Sequence, residues 1–314
     1  MTAALKIDGE LTRGLSLPRP TAVAPAATGC PATLRLLDGG VVSDVPWEAD
    51  FMLKRTRIMR KMLMPSPLAW VGGKRRLRET IISRFCDHQC YVEGFGGGGW
   101  VLFGKTPSPV EIYNDLDGEL VNFWRVIQQR REAFLDELKR VVSSREIFRV
   151  LKSIDTCYMS ELVRAVRFYY LHKDSFAAKG NHYATGTGGF RFPSKTAAGA
   201  IQAASERLAL VRIENMDWRA LLARYDSIDT LFYLDPPYVD TPGSYVHEFV
   251  DRDHRDLAAA LAGVRGRWLL SYGNHPLVRE LYSGARIEEV EVGYTMSPSR
   301  ASRQPRIELL ISNY

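Results

Sequence analysis

Three stretches of this chain have residue types and spacings that could do chemistry. The first is Asp235-Pro236-Pro237-Tyr238, at the end of the apolar run 230–234. Two prolines fix the backbone and remove two N–H donors. A carboxylate, carbonyl oxygens and an aromatic ring remain. Acceptors beside a stacking platform suit a planar ring bearing an NH2, such as the exocyclic amine of a base. The second is Glu93-Gly94-Phe95-Gly96-Gly97-Gly98-Gly99, directly after an apolar strand signal. Glycines there let the backbone approach a nucleoside or nucleotide closely. Glycine-rich turns also serve as plain loops, so this run gains weight only from its company. The third is Asp115, about twenty residues further on, where a carboxylate accepts from ribose hydroxyls or caps the next helix. Gly72-Gly73-Lys74 is not a phosphate-binding P-loop, because the upstream glycine is missing and Arg75 follows the lysine.

These residues need a scaffold. Short apolar runs at 91–95, 110–115, 230–235 and 267–272 read as buried parallel strands. Between them lie helical patterns. From Glu119 to Val142, Leu120, Trp124, Ile127, Phe134, Leu138 and Val141 form one stripe. Alternating signals predict an α/β, doubly wound, Rossmann-like sheet. Residues 286–294 and 305–314 read as an antiparallel hairpin at its edge. Residues 143–200 break the alternation and form an insertion too long for an ordinary connection. The expected division is therefore a catalytic domain of 64–142 and 201–314 carrying a mainly helical recognition insert, 143–200. Residues 1–63 read as a poorly ordered arm, or as residues upstream of a true start at Met59, Met62 or Met64.

Composition narrows the function. Hydrophobic residues make up 46% and charged residues 25% of 314, which excludes a collagen-like or wholly disordered chain. No long apolar run predicts a membrane span or a secretory signal. Four cysteines do not make a disulfide framework and point to a reducing, cytoplasmic setting. A net charge of +6 permits a polyanionic partner. Cys86-Asp87-His88-Gln89-Cys90 lacks the second ligand pair of a structural zinc site, so no metal is expected. The histidines form no Ser or Cys triad pattern, which disfavours a nucleophilic hydrolase.

The motifs together carry a resemblance. In order they are Trp70-Val71-Gly72-Gly73-Lys74, then Tyr91-Val92-Glu93-Gly94-Phe95-Gly96-Gly97-Gly98, then Tyr113-Asn114-Asp115, Asn215-Met216-Asp217-Trp218 and Asp235-Pro236-Pro237-Tyr238. The chain closes on Glu308-Leu309-Leu310-Ile311-Ser312-Asn313-Tyr314. From about Pro65 onward this resembles the Dam-type (D12 class) DNA adenine-N6 methyltransferases. Two departures stand out. Gly94 stands where the family usually has Pro, and His172 to Gly180 replaces its Asn-Arg and Phe-Asn-Gly-like run.

The resemblance implies a methyltransferase sheet, S-adenosylmethionine (SAM) as cofactor, no metal, and double-stranded DNA as substrate. Trp70, Gly73 and Lys74 would close over the methionine end of SAM, and Glu93, Phe95, Gly96 and Gly98 would form its loop. Asp115 would bind its ribose, and Asp217 with the Trp218 backbone its adenine. Asp235, Pro236 and Tyr238 would be catalytic, with Asp235 also beside the cofactor. In the insert, Arg164, Arg167, Lys173, Lys179, Arg191 and Lys195 are interleaved with aromatics, which suits a DNA-facing surface. Lys173, Lys179, Arg191 and Lys195 are its candidate DNA contacts, while Phe168 to Leu171 read as helix core. A flipped adenine would offer its amine to Asp235 and the Pro236 carbonyl. A cognate restriction endonuclease and a monomeric enzyme complete the expectation. The rivals are the same fold acting on cytosine N4 or RNA, a non-catalytic DNA- or SAM-binding module, and a dinucleotide oxidoreductase.

Overall fold

In the computed structural model, described residues are 64–68, 70, 72–175, 183, 195–239, 249–292 and 306–314. The expectations for residues 1–63 lie outside them. A seven-stranded sheet in the order β3-β2-β1-β4-β5-β7-β6 organises the chain. Its strands are β1 (Cys90–Glu93), β2 (Val110–Asn114), β3 (Arg212–Glu214), β4 (Thr230–Leu234), β5 (Arg267–Gly273), β6 (Arg286–Val292) and β7 (Arg306–Ser312). The first five are parallel, and β7 runs antiparallel between β5 and β6. The α/β reading holds, and so does the C-terminal hairpin. Its last strand, however, lies inside the sheet, leaving β6 as the edge. The three-residue β3 has no apolar run and was not legible.

The central runs are continuously apolar because both faces are covered. Tyr91, Tyr113, Leu231, Tyr233 and Leu269 fill one core, while Val92, Ile112, Phe232, Leu234 and Leu270 fill the other. The described helices are α1 (Arg78–Ile82), α2 (Trp100–Gly104), α3 (Gly118–Leu138), α4 (Arg145–Ser153), α5 (Glu161–Lys173), α6 (Lys195–Leu208), α7 (Trp218–Tyr225), α8 (Asp251–Ala262) and α9 (Pro276–Leu281). No helix among the described residues is long and apolar enough to cross a membrane.

Helix α3 starts where Asp117 accepts from the N–H groups of Glu119 and Leu120 at 2.9 and 3.3 Å. It bends at Arg130, whose backbone is non-helical. The described helices of the 143–200 region share the core. Phe123 of α3 stacks on Tyr169 of α5 with ring centroids 5.7 Å apart, and Phe134 meets Tyr169 edge-on. Each such buried ring contributes roughly 1.5–3 kcal/mol, so α5 is a structural wall of the sheet domain. Phe168 to Leu171 are buried, as their apolar run suggested.

Candidate functional site

The strand order reverses between β1 and β4, and the crevice beyond their C-terminal ends is where open α/β sheets bind ligands. The glycine run leaves β1 there and Asp235 leaves β4 beside it. The Gly94 N–H donates to the Tyr233 carbonyl at 2.9 Å, so the two loops spring from adjoining backbone. Gly97 and Gly99 have φ of 49° and 66°, the left-handed region that glycine enters without strain. Below the run, the Tyr113 hydroxyl donates to the Gly97 carbonyl at 2.7 Å and accepts from Trp124 Nε1 at 3.0 Å. Above it lies Trp70, such that a Cβ on Gly97 would sit 2.7 Å from its Nε1. Trp70 in turn stacks on His172 of α5, with ring centroids 5.3 Å apart. Phe95 meets Phe249 edge-on at 5.9 Å.

Asp115 sits half-buried at the tip of β2. Its Oδ2 accepts from the Gly97 N–H at 2.8 Å and its Oδ1 from the Asp117 N–H at 2.9 Å. Burial pushes its carboxyl up to about 6 against those two bonds. The capping role belongs to Asp117, and Asp115 shapes the glycine loop. Asn114, part of the Tyr113-Asn114-Asp115 motif but given no role from sequence, ties that loop to the next. Its Nδ2 donates to the Gly94 and Met216 carbonyls, both at 3.0 Å, and its Oδ1 accepts from the Met216 N–H. Asp217 begins α7, accepting from the Arg219 N–H at 2.8 Å. The Arg219 guanidinium lies 4.2 Å over the buried Trp218 ring and pairs with Asp253 and Asp256.

Asp235 is the centre of a charged group. Lys74 Nζ lies 2.7 Å from Asp235 Oδ1, which also accepts from the Ser271 hydroxyl at 2.9 Å. The same ammonium lies 4.0 Å from Glu308 Oε2 and 4.9 Å from the Tyr238 ring centroid. It also donates to the Gly72 carbonyl at 3.2 Å. Tyr238 donates its hydroxyl to Glu308 Oε2 at 2.9 Å. Burial raises the Asp235 carboxyl, opposed by Lys74 and Ser271, and raises Glu308, opposed by Lys74. Pro236 is buried. Glu93, one strand over, is 2% exposed and accepts from the Tyr91 hydroxyl at 2.7 Å; burial pushes it up to about 8.

The structure thus brings Gly73, Lys74, Phe95, Gly96, Gly98, Trp70, Asp115, Asp217, Trp218, Asp235, Pro236 and Tyr238 to one end of the sheet. Ser271, Glu308 and Asn114 join them without having been foreseen as site residues. The basic residues of the insert differ. Arg164 is paired with Glu119, and Arg167 donates to the Leu151 and Lys152 carbonyls, so both staple α5 to its neighbours. Lys173 lies 5.5 Å over the Tyr169 ring, half-buried. Lys179 and Arg191 lie outside the described residues, as does the side chain of Lys195. In the Cys86–Cys90 segment, His88 bonds the Cys86 carbonyl at 2.7 Å and Ser108 Oγ at 2.8 Å. No metal-ligating cluster occurs among the described residues.

Residues 70–296 match a family model described as D12 class N6 adenine-specific DNA methyltransferase. A type II methyltransferase, M1.LlaDCHI, of Lactococcus lactis subsp. cremoris is 28% identical over 268 residues, spanning 78% of this chain and 94% of the relative. A DNA adenine methylase of Vibrio cholerae serotype O1 is 25% identical over 263 residues, spanning 77% and 94%. Among solved structures, the rRNA methyltransferase aviRa of Streptomyces viridochromogenes aligns over 81% of this chain and 92% of its own, with 12% identity and a TM-score of 0.40.

Proposed function

Because the chain belongs to the D12 class of N6 adenine-specific DNA methyltransferases, we propose that Asp235, Pro236 and Tyr238 receive the target adenine and that the crevice beside them receives SAM. The reaction is SAM-dependent methylation of adenine N6 in DNA. The cofactor's ribose hydroxyls, exocyclic amine and ammonium are donors, and the crevice offers the carboxylates of Asp115, Asp217 and Asp235 as acceptors. The residues present fit it. Phe95, Gly96 and Gly98 line its loop, Trp70, Gly73 and Lys74 flank it, Glu93 lies beneath, and the Trp218 backbone adjoins Asp217. When bound, SAM supplies a sulfonium methyl open to in-line attack by a nitrogen lone pair.

The chain's own task is to make the adenine amine nucleophilic. Its lone pair is delocalised into the ring. The Asp235 carboxylate, accepting one N6 hydrogen, and the Pro236 carbonyl, accepting the other, would localise that pair on nitrogen. Asp235 must be ionised for this, and the Lys74 ammonium at 2.7 Å favours that form, opposing the burial that raises the carboxyl. Orientation and fixed electrostatics carry the rate, with no covalent enzyme intermediate. The base must leave the duplex, at a cost of a few kcal/mol. Stacking on Tyr238 offsets roughly 1–3 kcal/mol of it.

The observation that carries this reading is the adjacency of the two strand tips, fixed by the Gly94-to-Tyr233 hydrogen bond. The 143–200 insert would read the sequence through Lys173, Lys179, Arg191 and Lys195. The reading includes a monomer on double-stranded DNA in the cytoplasm. A restriction-modification role with a cognate endonuclease is supported by the type II relative's name. The test is expression in a methylation-free host with base-resolved mapping of modified adenine. N6-methyladenine in a fixed sequence context is expected from the natural chain and none from Asp235→Ala, while SAM binding, which keeps the Asp115 and Asp217 carboxylates, is weakened but still measurable by calorimetry. Methylated cytosine, or wild-type turnover in Asp235→Ala, overturns the assignment.

A further inference from the structure

Glu308 is a buried carboxylate that the reaction as described does not use. A carboxylate in such a place is costly unless something holds it. The Lys74 ammonium that faces it at 4.0 Å is closer to Asp235, at 2.7 Å, and Arg306 adds a weaker favourable charge. An apolar residue would suit this stretch of β7 better, since Leu309, Leu310 and Ile311 beside it are fully in the core. The charge faces Tyr238 instead, whose hydroxyl donates to Glu308 Oε2 at 2.9 Å.

The register sharpens this. Glu308 is the cross-strand partner of Gly273 on β5. Gly273 lies against the Tyr238 ring, so that a Cβ there would sit 3.0 Å from Cδ2. One pair of neighbouring residues therefore grips Tyr238 at two points, the hydroxyl by Glu308 and the ring by the bare backbone of Gly273. Tyr272, next in β5, meets the ring at 5.8 Å. A tyrosine side chain has two soft torsions, and these contacts remove both freedoms.

We propose that Glu308 is a positioning residue for the target base: it fixes the plane of the Tyr238 ring on which the flipped adenine stacks. The antiparallel hairpin thereby serves the reaction as well as the sheet edge. This rests on the placement of adenine at Asp235 and Tyr238 given above.

The test compares Glu308→Ala, Glu308→Gln, Tyr238→Phe and the double variant Tyr238→Phe/Glu308→Ala, all in the full chain. The substrate is a duplex bearing the mapped site, with 2-aminopurine at the target adenine for the flipping signal. Removing one charge-assisted hydrogen bond is expected to lower kcat/KM for DNA roughly 10- to 100-fold in Glu308→Ala. The 2-aminopurine signal should fall with it, while SAM affinity stays within about twofold. Glu308→Gln, which keeps an acceptor oxygen, should recover most of the loss. In the Tyr238→Phe background the bond is already gone, so Glu308→Ala should cost less than about threefold more. Equal losses in both backgrounds, wild-type kcat/KM in Glu308→Ala, or a matching loss of SAM affinity would each overturn the inference. If the alanine variant does not fold, Tyr238→Phe breaks the same bond and must show the same loss. Asp235→Ala, assayed alongside, separates the two ideas: turnover there overturns the site assignment, whereas an inert Asp235→Ala beside a fully active Glu308→Ala overturns only the role of Glu308.

Discussion

Two lysine–carboxylate clusters stand at opposite ends of the same sheet. At the N-terminal end of β2, Glu111 lies between Lys105, at 2.6 Å, and Arg207 of α6, at 2.5 and 2.9 Å. Their spare donors go to the Thr106 and Leu102 carbonyls and the Ser108 hydroxyl. All three side chains are 5% exposed or less. Burial pushes Glu111 up, but Arg207 and Lys105 outweigh it and hold the carboxyl below its usual range. At the other end one lysine faces two carboxylates, Asp235 and Glu308, and Asp235 keeps 17% of its side chain exposed. The first cluster sets two cations around one anion; the second sets one lysine between two anions, with a weaker pull on Glu308 from Arg306. In the first, these bonds fix α6 to the sheet and leave only Arg207 Nε of the three side chains buried without a partner. In the half-open crevice, Lys74 is instead shared between Asp235 and Glu308.

The contrast can be broken at its closed end first. Glu111→Ala strands two buried cations, and losing one partner of a buried pair costs about 3–5 kcal/mol. The denaturation midpoint should fall accordingly, with per-molecule activity of the folded fraction unchanged. An unshifted midpoint would mean that the cluster is not structural. At the open end, Lys74→Met should do the opposite. Its stability effect is smaller, because Asp235 can be protonated or solvated. Its kcat should drop on the order of 10²–10³-fold at neutral pH, the scale of one preorganised charged group. The sign of the pH effect is fixed. Lys74 lowers the Asp235 pKa, so its removal raises it and moves the acid limb of the kcat profile to higher pH. An acid limb that stays in place would remove Lys74 from the role of ionising Asp235.

Legibility in the sequence followed the same division. The functional end was readable because its demands are local: a glycine run, a double proline and a carboxylate each declare themselves within a few residues. Asp115 and Asp235 were singled out that way. Glu308, Ser271 and Asn114 were not, since each acts through register or across loops far apart in the chain. Glu308 was legible only as part of a closing motif, and only β7's place beside β5 brings it to Tyr238. The structural end was invisible, because Lys105, Glu111 and Arg207 form no pattern in sequence. In the insert, the partners of Arg164 and Arg167 on α3 and α4 were likewise out of reach of a sequence pattern.

A finer test joins the insert to the cofactor crevice. His172 donates its Nδ1–H to the Phe168 carbonyl at 2.9 Å, burial keeps its ring neutral, and Trp70 stacks on it. Aromatic pairs of this kind are worth about 0.5–1.5 kcal/mol, so His172→Ala should raise the KM for SAM roughly two- to tenfold. The effect should appear in KM more than in kcat, and Trp70 fluorescence should report a looser ring. His172→Phe, which restores a stacking face, should return most of the affinity. If KM for SAM is unmoved, the α5 wall is structural alone and the functional end stops at the glycine loop.

The smallest effect belongs to Glu93, which lies between the two ends and was expected beside the cofactor. Its carboxyl is raised from 4.5 to about 8 when folded, chiefly by burial. Between those values the folded chain holds a proton that the unfolded chain has released. Its contribution to stability is therefore complete below the unfolded pKa and declines as pH rises through the folded one. Glu93→Gln cannot titrate but keeps the size and an acceptor for the Tyr91 hydroxyl. The difference in Tm between variant and natural chain should thus move in the variant's favour from about pH 5 to about pH 9. Asp115 titrates in both chains and cancels from that difference. A difference that stays flat would mean Glu93 is ionised at neutral pH, and so belongs with the open, anion-rich end rather than with the closed one.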